Sequence, residues 1–235
     1  MDGRYIVYGS PGSGSVPVEA ALTLIGAPYE VIGDTVLRDV ARNPAVFKVN
    51  PLGQVPALVI PGGEVMTESA AILIWLADRY PDAALAPLPS DERRPAFLRW
   101  MAYVSSAIYG LAWVRGDPMR LISDERQVEV VLDRIADRRA DCWRWMDVQV
   151  EPRRYLLGDE LSVLDLYVAT ISRWSPRRRR FYREAPEMAA IVRRVVHAWR
   201  NCGEHAFLFM KDGKDSTGHR AAADPDGDPH EYGVP

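Results

Sequence analysis

Cysteine is scarce in this sequence, which holds only two among 235 residues. Cys142 and Cys202 lie far apart in helical patterns, so neither a disulfide framework nor a thiolate metal site is expected. Long apolar runs are also missing, because no stretch of about 18 apolar residues occurs that would cross a membrane. The first residues lack a basic segment followed by an apolar one, which excludes a secretory signal. These absences predict a protein of the reducing cytoplasm that carries no metal.

An excess of positive charge is absent too. The formal net charge is -3 and the pI is near 5.9, which gives no reason to expect nucleic acid as a partner. A hydrophobic content of 48% is ample for a core. The length allows one large domain or two small ones, since domains commonly have roughly 100 to 200 residues.

The first third of the chain alternates between strand and helix patterns. The predicted elements, in order, are a strand at Tyr5 to Tyr8, a loop at Gly9 to Ser15, a helix at Val18 to Ile25, a strand at Tyr29 to Ile32, a partly helical segment at Arg38 to Val49, a strand at Ala57 to Ile60, a short strand at Glu64 to Met66, and a helix at Ser69 to Tyr80. The strand, helix, strand order at the start predicts a right-handed crossover between two parallel strands.

Prolines then mark a change of architecture. The segment 82–95 is rich in proline and is predicted to link an α/β domain at 1–81 to an all-α domain at 96–210. Two apolar faces at helical spacing support the second domain: Phe97, Trp100, Met101, Val104, Ile108 and Leu111 on one helix, and Val128, Val131, Leu132, Ile135, Cys142 and Trp145 on the next. Residues 211–235 are rich in Gly, Asp, Pro and His and are expected to form an extended tail.

Two local patterns in the all-α part need separate interpretations. Ser162 followed by Asp165 is a capping box with aspartate in the glutamate position, and its role is structural. Arg177 to Arg180 is a run of like charges that either attracts an anionic ligand or forms a solvated helix start.

The motif that organises the chain is the turn and strand from Asn50 to Ile60, followed by the helix start from Thr67 to Leu73. Pro-Leu-Gly-Gln-Val-Pro-Ala-Leu and then Thr-Glu-Ser-Ala-Ala-Ile-Leu-Ile-Trp-Leu-Ala-Asp-Arg-Tyr-Pro resemble the glutathione-binding half of cytosolic glutathione transferases. The resemblance implies a thioredoxin-like α/β domain followed by an all-α helical domain. The loop spacing is closest to the bacterial beta class, although its cysteine is missing.

The resemblance also implies how glutathione is held. Val55, before a cis Pro56, pairs its backbone with the cysteine backbone of the ligand, as in β-augmentation. Glu68 and Ser69 hold the γ-glutamyl end, where helix amides and a hydroxyl suit a carboxylate and a carboxylate side chain suits the ammonium. The glycine end is assigned to Gln54 with Arg38 or Arg42. Both arginines are equally well explained as surface charges.

Activation of the glutathione thiol is assigned to the loop after the first strand. A thiol with a pKa near 8.5 needs a hydroxyl donor and a helix N-terminus to favour the thiolate. Laid on the beta-class loop, Gly14 takes the place of the cysteine and Ser15 that of the serine, which makes Ser15 the first candidate. Ser10 is the second candidate and Ser13 the third. Two alternatives stay open. In one, Ser15 serves only as a helix cap, and in the other, Tyr8 is a further hydroxyl donor.

A pocket for the second substrate is expected between the two domains. Tyr103, Tyr109 and Trp113 have the spacing to line it, and core packing is the other interpretation of these aromatic residues. In beta-class members a histidine and an asparagine project from this helix toward the sulfur, and here Tyr109 and Ala102 take their places.

The resemblance therefore implies a homodimeric enzyme of detoxification that conjugates glutathione, as co-substrate, to small apolar electrophiles. Two alternatives remain. One is a different glutathione-dependent reaction, such as peroxide reduction, dehalogenation, ether cleavage or isomerisation. The other is a non-catalytic binding protein with this fold, which the Gly-Ser-Gly loop without cysteine and the charged tail keep open.

Overall fold

The computed structural model of the chain describes residues 3–33, 43–174 and 178–200. Within these ranges four strands form one sheet: β1 (Tyr5–Tyr8), β2 (Tyr29–Ile32), β3 (Ala57–Val59) and β4 (Val65–Thr67). The α-helices within the described ranges are α1 (Val16–Ile25), α2 (Pro44–Val49), α3 (Ser69–Arg79), α4 (Arg94–Tyr103), α5 (Leu111–Gly116), α6 (Val128–Gln149), α7 (Val163–Ile171), α8 (Arg178–Glu184) and α9 (Pro186–Arg200). A π-helical segment (Val104–Tyr109) joins α4 to α5.

The sheet has the order β2-β1-β3-β4. β1 and β2 are parallel, with Tyr5 opposite Tyr29, as the crossover through α1 requires. β3 runs antiparallel to both β1 and β4, and Ala57 lies opposite Thr67. This is the mixed sheet of a thioredoxin-like domain, so the predicted α/β class of this half is confirmed. The strand between 64 and 67 lies one residue later than the sequence indicated.

Helices α1 and α3 pack against each other, and both contact α7 from the helical half. α1 begins at Val16, ahead of the predicted Val18, because Pro17 suits the first turn of a helix. It ends at Gly26, whose φ of 74° is the left-handed conformation that glycine adopts without strain. Buried residues of both halves form one continuous core. The contacts of the site described below therefore cross from one half to the other.

The helical half departs from the sequence prediction at two places. The apolar face from Phe97 to Leu111 reads as one helix, but a π-helical segment interrupts it, with Gly110 donating to the carbonyl of Ser105. On α6 the expected face included Trp145, which is wrong: Trp145 is 44% exposed and Trp143 is fully buried instead. The error arises because two tryptophans two residues apart point to different sides of a helix.

Some sequence predictions fall outside the described residues. These are Arg38 and Arg42, Arg177, and the tail at 211–235. The division into domains at 81 and 95 stays a prediction. Within the described ranges no helix combines the length and the apolarity needed to cross a bilayer.

Candidate functional site

A tight turn at residues 50–54 precedes the strand edge that is expected to bind a peptide ligand. The side chain of Asn50 accepts a hydrogen bond from the Leu52 amide at 3.1 Å and donates one to the Gln54 carbonyl at 2.9 Å. Gly53 adopts a φ of 64°, and a Cβ there would lie 2.6 Å from the Phe47 ring. Glycine is therefore required at this position. The next residues are Val55 and Pro56, and the bond between them is cis.

The sheet register brings this edge to the start of α3. Ala57 pairs with Thr67, so the two antiparallel chains place Val55 and Pro56 beside Glu68 and Ser69. Within the described part of the chain, neither the amide nor the carbonyl of Val55 has a hydrogen-bond partner. Glu68 is exposed and has a φ of 66°, an uncommon conformation for a residue other than glycine. Unpaired backbone, an exposed carboxylate and free helix amides thus meet at one place.

Ser69 is tied to the helical half of the protein. It is 5% exposed, and its Oγ lies 3.0 Å from the Oη of Tyr167 on α7. Burial raises the pKa of Tyr167 to about 12, while the side chains of Ser69 and Ser105 act in the opposite direction. Tyr167 is therefore a neutral hydroxyl at physiological pH. Sequence reasoning missed this residue, because its helix is apolar and buried on all sides and nothing local marks one tyrosine as polar in role.

The three serines of the loop form a compact network. The Ser15 hydroxyl donates to Oε1 of the buried Glu19 at 2.7 Å and lies 2.9 Å from the Ser13 hydroxyl. Because the Ser15 proton goes to Glu19, the proton between Ser13 and Ser15 must come from Ser13. Ser13 Oγ also accepts from the amides of Ser10 and Ser15. Both hydroxyl protons therefore point into the protein.

Ser10 differs from its neighbours. It is 2% exposed, and its Oγ has no hydrogen-bond partner among the described residues. The Ser10 hydroxyl proton therefore has no acceptor within the loop. Ser15 occupies the position before α1, but its side chain caps no amide of the helix. The alternative that Ser15 serves only as a helix cap is therefore wrong, since its hydroxyl is bound to Glu19.

Two aromatic side chains from the helical half cover the serine loop. Trp174 donates from its ring nitrogen to the Gly12 carbonyl at 2.9 Å. Tyr109 stacks edge-on against Trp174, with ring centroids 4.8 Å apart. A Cβ built on Gly14 would lie 2.2 Å from the Tyr109 hydroxyl oxygen. The phenol therefore occupies the space that a cysteine at position 14 would need, and burial raises its pKa so that it stays protonated.

The other two aromatic candidates make contacts of their own. Tyr103 donates its hydroxyl to the Cys142 carbonyl at 3.2 Å, and its ring packs between Trp100 and Trp145. Trp113 is 46% exposed and stacks with the guanidinium of Arg120. Tyr103 and Tyr109 thus contact different parts of the protein, because the π-helical segment changes the direction of side chains between them.

A buried cation lies behind Tyr109. Arg139 is 1% exposed and donates from Nε to the Ile108 carbonyl at 3.0 Å. Burial lowers its pKa to about 10, the nearby Arg115 acts in the same direction, and Tyr109 acts against it. No local pattern predicts this residue, since Arg138 and Arg139 are adjacent and only tertiary packing selects which one is buried.

The remaining polar patterns have structural contacts. Asp165 accepts hydrogen bonds from the amides of Leu156 and Ser162, both at 2.8 Å, and from the Ser162 hydroxyl at 2.7 Å. In the arginine run, Arg178 is buried and donates to the Ala169 carbonyl, and Arg180 pairs with Asp137 at 2.7 Å. Arg178 is thus neither solvated nor directed to a ligand.

The sequence and the fold are similar to those of known proteins. Residues 15–79 match the family model for the N-terminal domain of glutathione S-transferases. The GST-like protein YncG of Escherichia coli (strain K12), described as uncharacterized, is 31% identical over 187 residues, which are 79% of this chain and 89% of that protein. A maleylacetoacetate isomerase of Pseudomonas aeruginosa is 40% identical over 100 residues, 42% of this chain and 45% of that protein.

The solved structures give the same result for the fold. A glutathione transferase homologue from Sulfitobacter, with bound glutathione, has a TM-score of 0.73 at 21% identity and covers 87% of this chain and 96% of that one. The unpaired Val55 backbone beside the start of α3, the mixed sheet and these similarities agree with one another, and the chain belongs to the glutathione S-transferase family.

Proposed function

We propose that this protein binds glutathione and transfers its thiolate to small apolar electrophiles. The observation that carries the proposal is the unpaired backbone of Val55 next to the exposed start of α3. An extended γ-glutamyl-cysteinyl-glycine satisfies such a backbone through its cysteine amide and carbonyl. Its γ-glutamyl carboxylate then reaches the amides at the start of α3 and the Ser69 hydroxyl. Glu68 receives the ammonium, and Gln54, which is exposed, contacts the glycine end with Arg38 or Arg42.

The thiol end of the ligand points toward the serine loop in this proposal. Ser10 becomes the first candidate for the hydroxyl that donates to the thiolate, because its proton has no other acceptor in the described part of the chain. Ser15 and Ser13 then act by holding the loop, since their protons are committed to Glu19 and to Ser15. The amino end of α1 adds a positive partial charge that favours the anion.

The electrophile is expected to enter beside Tyr109 and Trp113. Tyr109 contributes a neutral phenol at the loop, and Trp113 contributes an exposed apolar surface. Tyr103 is a weaker candidate for this pocket, because its hydroxyl is bound to the Cys142 carbonyl. The absence of a cysteine at position 14 argues against mixed-disulfide chemistry. We also propose a homodimer in the cytoplasm, on the family resemblance.

A second candidate reaction is glutathione-dependent isomerisation. The similarity to a maleylacetoacetate isomerase over 100 residues favours it. The two reactions share the glutathione site and differ in the electrophile, so a panel of apolar halogenated arenes and unsaturated dicarbonyl acids separates them.

Binding to glutathione tests the proposal first. Titration calorimetry and retention on immobilised glutathione should both show binding that free glutathione competes with. Ser10→Ala should then raise the pKa of the bound thiol, measured from the ultraviolet absorbance of the thiolate, and lower the conjugation rate by about tenfold or more. Ser15→Ala should mainly reduce stability, because it removes the hydroxyl that donates to the buried Glu19.

The contrary outcomes are equally clear. No heat and no retention with glutathione would reject the glutathione site, and would favour a non-catalytic binding protein. Normal thiol pKa and normal activity in both serine variants would remove the loop hydroxyls from the mechanism.

A further inference from the structure

One buried hydroxyl of the helical half lies against the proposed γ-glutamyl site. Tyr167, on α7, has no exposed surface, and its Oη is 3.0 Å from Ser69 Oγ. The side chain of Ser105 in the π-helical segment also acts on this phenol and lowers its pKa. The contact between Tyr167 and Ser69 crosses from one half of the protein to the other.

A ligand carboxylate bound at the start of α3 determines which of the two hydroxyls, Ser69 or Tyr167, donates its proton to the other. An ionised carboxylate only accepts hydrogen bonds, so the single proton of Ser69 goes to the ligand. The contact between Ser69 and Tyr167 must then use the phenolic proton. Each hydroxyl donates toward the ligand, and such aligned hydrogen bonds strengthen one another in a buried setting.

We propose that Tyr167 is a positioning residue for the γ-glutamyl carboxylate of glutathione, acting through Ser69. The inference rests on the proposed glutathione site and adds a residue from the helical half to it. Without the phenolic donor, the lone pair of the buried Ser69 oxygen would lose its partner, and the Ser69 hydroxyl would no longer be held in the orientation that donates to the ligand. With it, Ser69 has one acceptor for its proton and one donor for its lone pair.

The surroundings of Tyr167 agree with this role. Burial keeps the phenol protonated, as the raised pKa indicates, and the Glu68 carboxylate acts on the same hydroxyl in the same direction. Glu68 directly precedes Ser69, whose hydroxyl contacts the phenol, so the carboxylate belongs to the same end of α3. The proposed acceptor of the ligand's ammonium and the proposed support of its carboxylate thus lie together.

Tyr167→Phe tests the proposal, because it removes the hydroxyl and keeps the ring. Calorimetry should show that it weakens glutathione binding by about threefold to tenfold, the loss expected for one hydrogen bond. The same titration with 4-aminobutanoyl-cysteinyl-glycine, which lacks only the γ-glutamyl carboxylate, should show a change of less than about twofold. A merely structural role for Tyr167 would weaken both ligands alike.

Tyr5→Phe is the matched control. Tyr5 is 3% exposed and its hydroxyl lies 2.8 Å from that of Tyr80, so the variant loses a buried pair of the same kind away from the site. It should leave the affinity for both ligands unchanged. In a Ser69→Ala background, Tyr167→Phe should have no further effect on glutathione affinity, since the residue through which it acts is gone.

The outcomes separate this inference from the proposed function. If the parent protein does not bind glutathione, both are rejected. If the parent binds but Tyr167→Phe is neutral, or weakens both ligands equally, only the role of Tyr167 is rejected. Should Tyr167→Phe fail to fold, Tyr167→Met replaces it, since methionine also lacks the hydroxyl donor and adapts to a buried space, and a selective loss of glutathione affinity of about twofold or more is then required.

Discussion

A side chain at position 14 should be incompatible with Tyr109. A Cβ on Gly14 would lie 2.2 Å from the phenol oxygen, 2.9 Å from Cζ and 3.0 Å from Cε1. Gly14 does not have a positive φ, so the conflict is steric and not a matter of backbone strain. The phenol cannot withdraw easily, because its ring packs between Trp174 and Tyr167, with centroids 4.8 and 6.2 Å away.

Gly14→Ala should therefore lower the free energy of unfolding by about 1 to 3 kcal/mol, the usual cost of overpacking. Tyr109→Ala creates the space, so Gly14→Ala in that background should cost close to nothing. Urea denaturation of the two single variants and the double variant gives a coupling energy, which we expect to be roughly 1 to 2 kcal/mol. Gly116→Ala is the control, because its nearest atom to a new Cβ is Arg120 Nη1 at 3.9 Å.

Strictly additive free energies in this cycle would refute the steric argument. So would a Gly14→Ala variant as stable as the Gly116→Ala control. The same reasoning extends to chemistry, since Gly14→Cys alone should not form a mixed disulfide by exchange with added glutathione disulfide, a reaction that releases one glutathione. The combination with Tyr109→Ala should form one, and mass spectrometry of the intact protein would detect it.

Two further predictions concern stability. Asp165→Ala removes the acceptor of two amides and one hydroxyl and should lower the free energy of unfolding, measured by chemical denaturation, by roughly 2 to 4 kcal/mol. The control Asp133→Ala, at an exposed position, should change it little. A loss below about 1 kcal/mol for Asp165→Ala would contradict its structural role. The Arg144 hydrogen bond at 2.6 Å lowers the pKa of Glu184, so this pair stabilises the fold above the usual glutamate pKa and loses its effect as the pH falls through the lowered value. Thermal unfolding should accordingly show Arg144→Gln slightly less stable than the parent at about pH 7 and equal to it at about pH 2, and an equal deficit at both would be inconsistent with the ion pair.

Local sequence was sufficient for the elements that build the site. Three elements depend on neighbours within a few residues, so local sequence patterns predict them. They are the Pro-Leu-Gly turn, the strand after Pro56 and the helix start at Ser69. The limits of β1, β2 and α3 agree with prediction to within a residue. The serine loop was also recognisable, since Gly, Ser and Pro between a strand and a helix have few other interpretations.

The hydrogen-bond partner of each hydroxyl in the site could not be predicted, because it depends on tertiary contacts. Ser10, Ser13 and Ser15 look alike in sequence, and only the hydrogen bond to Glu19 and the packing of the loop separate their roles. The partner of Ser69 lies 98 residues away.

Sequence by itself determined the order of strands and helices, the turn before Pro56 and the family, because short-range patterns encode them. Tertiary structure alone decided that Tyr109 fills the space above Gly14, that Tyr167 supports Ser69, and that Arg139 is buried while its neighbour is not. The physical reason is that the direction of a side chain on α6, α7 or the π-helical segment follows from how the two halves pack, and no local pattern records that packing.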